Sequence, residues 1–301
     1  MARRRYNCEM EVRGGDLRGE LAPVLVAEGG ALAALAEAVA REPAVALDTE
    51  SNSFHVYRER VCLLQLSTRQ GDYVVDPFAV DARPLGAALA GREVVLHGAD
   101  YDVRCLKREF GWSLPRLFDT MAAARRLGAP QLGLAALVES HCGVRLAKDH
   151  QRSDWGRRPL SDEQVRYAAL DTHFLLGIHE RLRGELEGRG LAEAARREFE
   201  QIAAVEPRPR VFDAEGWRRL KAARGLDPAG REVLRALWIA REQRASEIDR
   251  PPFKVLGEHA MVEIARKRPA EAEALGRIPG VTSNVLRRMG DVILGAVRRA
   301  R

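Results

Sequence analysis

Two carboxylates, Asp48 and Glu50, stand one residue apart at the end of the apolar run Ala44-Val-Ala-Leu47. Alternation along a strand places both on one face, and two acids together at a strand end invite a cation. Alone, an Asp-x-Glu triplet more often marks a strand-to-loop exit than a metal site. Further acids follow. The segment His97-Gly-Ala-Asp100-Tyr-Asp102 sets two aspartates where a strand gives way to a helix, and Tyr167-Ala-Ala-Leu-Asp171 sets a phenol and a carboxylate four residues apart on one helical face. Singly these are bland, since Asp100 suits a helix cap and a Tyr/Asp pair suits a surface hydrogen bond. Taken together, these carboxylates and the phenol at such positions suit hard divalent cations such as Mg²⁺ or Mn²⁺, which prefer oxygen ligands.

The elements that must position these groups are legible from periodicity. Ala31–Ala40 has helical spacing, and Pro43 ends it before the buried-strand run at 44–47. Val61–Ser67 and Asp72–Asp76 read as strands separated by the turn Thr-Arg-Gln-Gly, a connection so short that the two must be antiparallel. A helix near Arg83–Leu89, a strand at Glu93–His97 and a helix from about Ala99 to Phe110 follow, and the pattern is then mostly helical to residue 202. Strands first and β-α-β-α afterwards predict a mixed sheet flanked by helices. Residues 211–301 show helical patterns only, at Gly230–Glu247, Glu258–Arg266 and Val281–Arg299.

Domain organisation and charge agree with that division. The chain has 301 residues and a net charge of +6, yet residues 1–210 carry 30 basic and 31 acidic side chains, whereas residues 211–301 carry 19 and 12. The basic surplus belongs wholly to the last third, which points to an anionic partner for that part. Between the parts, the alternating prolines of Glu206-Pro-Arg-Pro-Arg favour extended chain. The expected domains are a flexible tail at 1–22, a mixed-sheet domain at 23–205, a linker at 206–222 and a helical domain at 223–301. With 46% apolar and 31% charged residues, the composition excludes wholesale disorder and collagen-like repeats. No apolar run approaches the ~20 residues of a membrane span, and the start Met1-Ala-Arg-Arg-Arg is not followed by an apolar signal region, so a cytoplasmic protein is expected. Cys8, Cys62, Cys105 and Cys142 form no metal-spaced pair and are expected to be reduced, packed thiols.

Asp48-Thr-Glu50, Gly98-Ala-Asp-Tyr-Asp102 and Tyr167-xxx-Asp171 resemble, in order, the three exonuclease motifs of the DEDD superfamily in its tyrosine-containing branch, the branch of the ribonuclease D family. Val61-Cys-Leu-Leu-Gln-Leu-Ser67, Leu117-Phe-Asp-Thr120 and Asp154-Trp-xxx-Arg158-Pro-Leu160 are similar to segments of that family, and residues 211–301 resemble its C-terminal HRDC domain. The chain carries one such module where some relatives carry two. The resemblance implies a ribonuclease-H-like mixed sheet followed by a small all-α domain. It also implies a 3′-5′ exoribonuclease that uses two divalent cations, Mg²⁺ or Mn²⁺, to release nucleoside 5′-monophosphates. The implied partner is RNA with a free 3′ end, such as tRNA precursors or other structured RNA; neither a membrane nor a protein partner is indicated.

By the same resemblance, Asp48 bridges both cations, Glu50 and Asp171 complete the nucleophile side, Asp102 holds the leaving-group side, and Tyr167 orients the attacking water. Asp102 is taken over Asp100 on the family pattern, with Asp100 as the fallback. A 3′-5′ exonuclease acting on DNA and an inactive RNA-binding scaffold are the competing readings; the intact acid set speaks against the second. His97, His173 and His179 are assigned no catalytic role, and Trp112 and Trp155 are expected to pack in the core. For phosphate contacts the candidates are Lys148 and Arg152 before Asp154-Trp155, and Arg266-Lys267-Arg268 with Arg287-Arg288 in the helical domain.

Overall fold

A computed structural model of the chain describes residues 21–146, 150–151, 153–207 and 211–300; the expected tail before residue 21, with Cys8, and the candidates Lys148 and Arg152 lie outside the described residues. The chain divides into two compact units, one built from the chain up to Asn52 and from Arg60 to about residue 208, the other from Ser53–Glu59 and the remaining C-terminal part.

Among its described residues the first unit holds six strands: β1 (Val24–Val26), β2 (Ala44–Ser51), β3 (Val61–Ser67), β4 (Asp72–Val75), β5 (Glu93–Leu96) and β6 (Leu117–Asp119). They line up as β1-β4-β3-β2-β5-β6. β2, β3 and β4 form an antiparallel meander, while β1 joins β4, β5 joins β2 and β6 joins β5 in parallel. The sheet is therefore mixed, as expected. Three-residue β1 and β6 escaped the sequence reading because so short a run has no measurable period.

Eight helices accompany the sheet among the described residues: α1 (Gly29–Arg41), α2 (Leu85–Ala90), α3 (Asp100–Phe110), α4 (Thr120–Arg126), α5 (Leu134–Cys142), α6 (Asp162–His173), α7 (Leu175–Gly188) and α8 (Ala192–Ala203). Their apolar faces close a core that includes Leu35, Leu47, Leu64, Leu66, Leu89, Leu106, Phe174 and Ile178, all 2% exposed or less. Trp112 and Trp155 are buried, as expected of packing residues. Cys62 and Cys105 are buried and not disulfide-bonded, as expected of packed thiols.

Two glycines on helices show how tightly this unit is packed. A Cβ at Gly86 of α2 would stand 2.5 Å from Cδ1 of Trp112. That ring is buried and its Nε1 donates to the carbonyl of Arg83, so it is not free to retreat. Overpacking of this kind costs about 1–3 kcal/mol, more than the up to ~1 kcal/mol that alanine gains over glycine in a helix. Gly184 of α7 is exposed with nothing near its Cβ position. Thermal unfolding is therefore expected to show Gly86→Ala destabilising and Gly184→Ala neutral to stabilising; equal shifts would mean Trp112 yields.

In the second unit lie α9 (Pro228–Glu247), α10 (Pro252–Val255), α11 (Glu258–Lys267), α12 (Ala272–Gly276) and α13 (Ser283–Arg299). α9 begins on Pro228 at its first position, with Asp227 accepting the Gly230 N–H at 2.8 Å, and α13 begins on Thr282, which accepts the Val285 N–H. Val233, Leu234, Leu237, Met261, Ile264, Ile293 and Val297 form its core. Ser53–Glu59 belongs to this unit: Asp249 accepts the backbone N–H groups of Tyr57 and Arg58, at 3.1 and 3.0 Å.

Within the stretch expected as a linker, Gly216–Arg219 forms a short 3-10 turn whose Trp217 is buried in the core of the helical unit, and a second such turn, Lys221–Gly225, leads on into it.

Candidate active site

β2 carries Asp48 and Glu50, and its partner β3 fixes which way they face. Asp48 pairs with Gln65 and Ala46 with Ser67, and Ser67 in turn donates to Thr172 of α6 at 2.7 Å. α6 therefore covers the same face of the sheet from which Asp48 projects. Between Glu50 and Ser51 the register shifts, with Cys62 as the extra residue on β3. A bulge there bends the strand just past the acids, a device that re-aims side chains near sites.

α6 starts on a reciprocal cap: Ser161 accepts the Gln164 N–H at 3.2 Å, and Gln164 accepts the Ser161 N–H at 3.0 Å. From that fixed start, Tyr167 and Asp171 follow at one-turn spacing. The Tyr167 ring stacks on Trp155 with centroids 6.1 Å apart and meets His150 edge-on at 5.4 Å. Trp155 is held in turn by Arg158, which donates to the Trp155 and Cys62 carbonyls and grips Asp76 through two nitrogens at 2.6 and 2.8 Å. Burial alone would raise the Asp76 carboxyl, but the Arg158 hydrogen bonds and charge, with the Phe78 N–H, hold it below the usual carboxylate range.

Asp102 arrives from α3. The turn into that helix needs Gly98 at φ +72°, and the buried Asp119 at the end of β6 accepts the N–H groups of Gly98 and Ala99 at 3.1 and 2.8 Å. The same carboxylate caps α4 through Met121 and Ala122. One acid thus fixes two helix starts. Asp102 is 6% exposed and accepts the Thr49 hydroxyl at 2.5 Å. Asp100 lies exposed and paired to Arg104 one turn on.

Electrostatically the four acids form one group. Burial, then the charges of Asp102, Asp171 and Glu50, push Asp48 well above its ordinary value. Burial, with Asp171 and Asp102, pushes Glu50 up to about 9. Burial alone pushes Asp171 up to about 7, and Asp102 rises to about 6, the Thr49 hydrogen bond partly opposing its burial. Crowded, buried carboxylates that hold protons this strongly lack compensating positive charge. An all-oxygen acidic donor set fits a hard divalent cation. Among the described residues no group of three or more His, Cys, Asp or Glu side chains already stands close enough together to hold a metal ion.

The other candidates are placed as follows. His97 bonds to Thr120, His173 to Asp72 and His179 to Glu93, so the three serve separate packing contacts. In the helical unit Arg266 and Lys267 both pair with Glu263, and Arg268 pairs with Asp227 at 2.7 Å. Arg287 and Arg288 are exposed on α13, with Arg287 donating to Asn284.

Sequence reasoning missed Thr49, Asp119 and the Asp76–Arg158 clamp. A hydroxyl between two acids was the one available signal for Thr49; the others depend on partners 20 and 82 residues away in sequence. Thr49→Val keeps the shape and removes the donor to Asp102. Groups that orient metal-binding carboxylates are worth roughly 10–100-fold, so turnover is expected to fall by about that factor with little change in melting temperature. Unchanged turnover would make the Thr49 contact incidental.

A mixed sheet with four buried acids gathered around Asp48 is an arrangement suited to cation-assisted hydrolysis of a phosphodiester. A family described as 3'-5' exonuclease matches residues 24–187, and the HRDC domain family matches residues 230–297. Ribonuclease D of Acidiphilium cryptum is 36% identical over 269 residues, 87% of this chain and 67% of that protein. The crystal structure of the catalytic core of RRP6 from Trypanosoma brucei superposes with a TM-score of 0.83 at 30% identity, covering 93% of this chain and 80% of that one. The crystal structure of Escherichia coli RNase D, described as an exoribonuclease involved in structured RNA processing, gives 0.70 at 31%, covering 93% and 75%. The chain belongs to the 3'-5' exonuclease family, in its ribonuclease D group, with an HRDC domain after the catalytic one. Divalent metal ions are implied by that membership.

Proposed function

We propose that this chain is a 3′-5′ exoribonuclease that removes nucleoside 5′-monophosphates one at a time from structured RNA such as tRNA precursors, with two Mg²⁺ or Mn²⁺ ions. The observation that carries the reading is the set of four buried acids, in which Asp48 and Glu50 feel the charges of Asp102 and Asp171, together with Tyr167 one turn before Asp171 on α6. Asp48, Glu50, Asp102 and Asp171 would hold the ions, which when bound supply an activated water and neutralise charge on the leaving oxygen. Asp48 lies centrally, since each of the other three acids acts on it. Tyr167, with an ordinary phenol pKa near 10, orients the water rather than taking its proton in bulk. Thr49 keeps the Asp102 carboxylate in place. The domain division at 23–205 and 223–301 and a cytoplasmic location are part of the same reading. Arg287 and Arg288, exposed on α13, are its candidates for phosphate contacts.

A labelled strand with a 3′ overhang, offered as RNA and as DNA of the same sequence, tests this. The expected result is a one-nucleotide ladder shortening from the 3′ end of RNA, dependent on Mg²⁺ or Mn²⁺ and releasing 5′-monophosphates. Equal or faster cutting of DNA would transfer the activity to the DNA reading, because the acids themselves do not distinguish the sugars.

A further inference from the structure

Gln65 is the one residue of the described sheet whose side-chain polar atoms are both buried and both without a partner. It sits in the middle of β3 with none of its surface exposed, and neither Oε1 nor Nε2 makes a hydrogen bond. An amide in that condition is destabilising for each unmet group, whereas an apolar side chain of similar size would fill the space without that loss. A buried amide with no bond needs a use.

Its surroundings narrow the use. Directly opposite on β2 is Asp48, and directly opposite on β4 is Val74. Residues paired in this way point to the same face, with Cβ atoms ~4.5–5.5 Å apart. Along β3 that face continues into Ser67, whose hydroxyl is already committed to Asp72 and Thr172. Thr172 is committed in turn to the Ala169 carbonyl. α6 presents buried Ala168 and Ala169 there, which offer no side-chain partner. Asp48 is therefore the neighbour with lone pairs to spare, and a glutamine side chain is long enough to reach it by rotation about its own bonds. The polarity fits too, because an amide NH₂ donates and a carboxylate accepts.

We propose that Gln65 is a positioning residue for the acid cluster: its side-chain amide donates to the Asp48 carboxylate when the cluster holds its cations, fixing the orientation in which Asp48 binds them. The inference rests on the reading of Asp48 as a cation ligand. It deepens that reading by adding a neutral residue from the neighbouring strand. A carboxylate shared between two ions has to be held against rotation, and groups that do this are typically worth 10–100-fold in affinity or activity.

The test uses the full chain and three variants, Gln65→Met, Gln65→Leu and Asp48→Asn. Mn²⁺ binding is followed by the electron paramagnetic resonance of the free ion, thermal unfolding is measured in EDTA, and kcat and KM are measured on the RNA ladder substrate. For Gln65→Met the expected result is Mn²⁺ affinity lower by about 10-fold or more and kcat lower by a similar factor. Its KM for RNA should be unchanged and its melting temperature in EDTA equal to or above that of the parent. Loss of binding with stability kept or gained is what a mere packing role does not produce. Gln65→Leu must repeat the pattern, and stands alone if the methionine variant does not fold. Parent-like Mn²⁺ affinity and kcat in a folded Gln65 variant overturns the proposal while leaving the site intact. Parent-like Mn²⁺ affinity in Asp48→Asn overturns the reading of the site itself, and the Gln65 proposal with it.

Discussion

Asp48→Asn is expected to lower 3′-end hydrolysis by on the order of 10³-fold or more, a loss of at least about 4 kcal/mol of transition-state stabilisation. The side chain keeps its size, so any loss comes from charge. Asp48 lies amid the other acids, and its ionised form is penalised by burial and by Asp102, Asp171 and Glu50. An amide there removes the carboxylate proposed to hold the cations and also relieves the repulsion from the other three acids. The variant should therefore be inactive yet, in EDTA, at least as stable as the parent at neutral pH. Asp100→Asn is the matched control. Asp100 is exposed and paired with Arg104 at one-turn spacing, an interaction worth about 0.3–0.5 kcal/mol, so its activity should stay within about twofold of the parent. Single-turnover rates with denaturant melts of both variants check the pair. An inactive Asp100→Asn beside an active Asp48→Asn would reverse the assignment of the site.

The second large effect is the dependence of stability on pH, and its sign follows from the direction of the shifts. Glu50, Asp171 and Asp102 are raised to about 9, about 7 and about 6, from ordinary values of 4.5, 3.8 and 3.8, chiefly by burial. A carboxyl whose folded value lies above its unfolded one binds more protons when folded. Its contribution to stability is complete below the unfolded value and is lost as pH rises through the folded one. In EDTA the protein should accordingly lose stability from about pH 4 onward, with the decline continuing through 6 and 7 to about 9. Saturating Mg²⁺ or Mn²⁺ should oppose that loss, because the cation binds the ionised carboxylates and displaces protons. Calorimetric titration at pH 7 in buffers of different ionisation enthalpy should detect protons released on binding, and the affinity should rise with pH over the same range. A stability profile in EDTA that is flat from 5 to 9, with no proton release, would mean that the acids titrate independently in water.

How much of this was legible beforehand depended on the distance between partners. Asp48 with Glu50, and Tyr167 with Asp171, were readable because strand alternation and the helical turn are local rules acting within five residues. The antiparallel pairing of β3 and β4 was readable because a four-residue turn leaves no alternative. Asp119 was not, because its meaning lies in N–H groups of Gly98 and Ala99, some 20 residues upstream. Gln65 looked like one more residue of a strand motif until the register set it against Asp48. In the helical unit, Arg266-Lys267-Arg268 reads as a basic run, yet the fold neutralises much of it with Glu263 one turn back and with Asp227, 41 residues earlier. Composition counts charges and cannot show such pairing.

The strand order also sets a timetable. β2, β3 and β4 are consecutive in the chain, so Asp48 and Glu50 can be set in their meander soon after synthesis. α6 supplies Tyr167 and Asp171, and these are made more than 110 residues later. At roughly 5–20 residues per second, that interval is about 6–25 s. Until α6 docks, two of the five side chains of the proposed site, Tyr167 and Asp171, are missing. On the proposed function, a nascent chain would therefore be unable to cut RNA until α6 has been made and has covered the sheet.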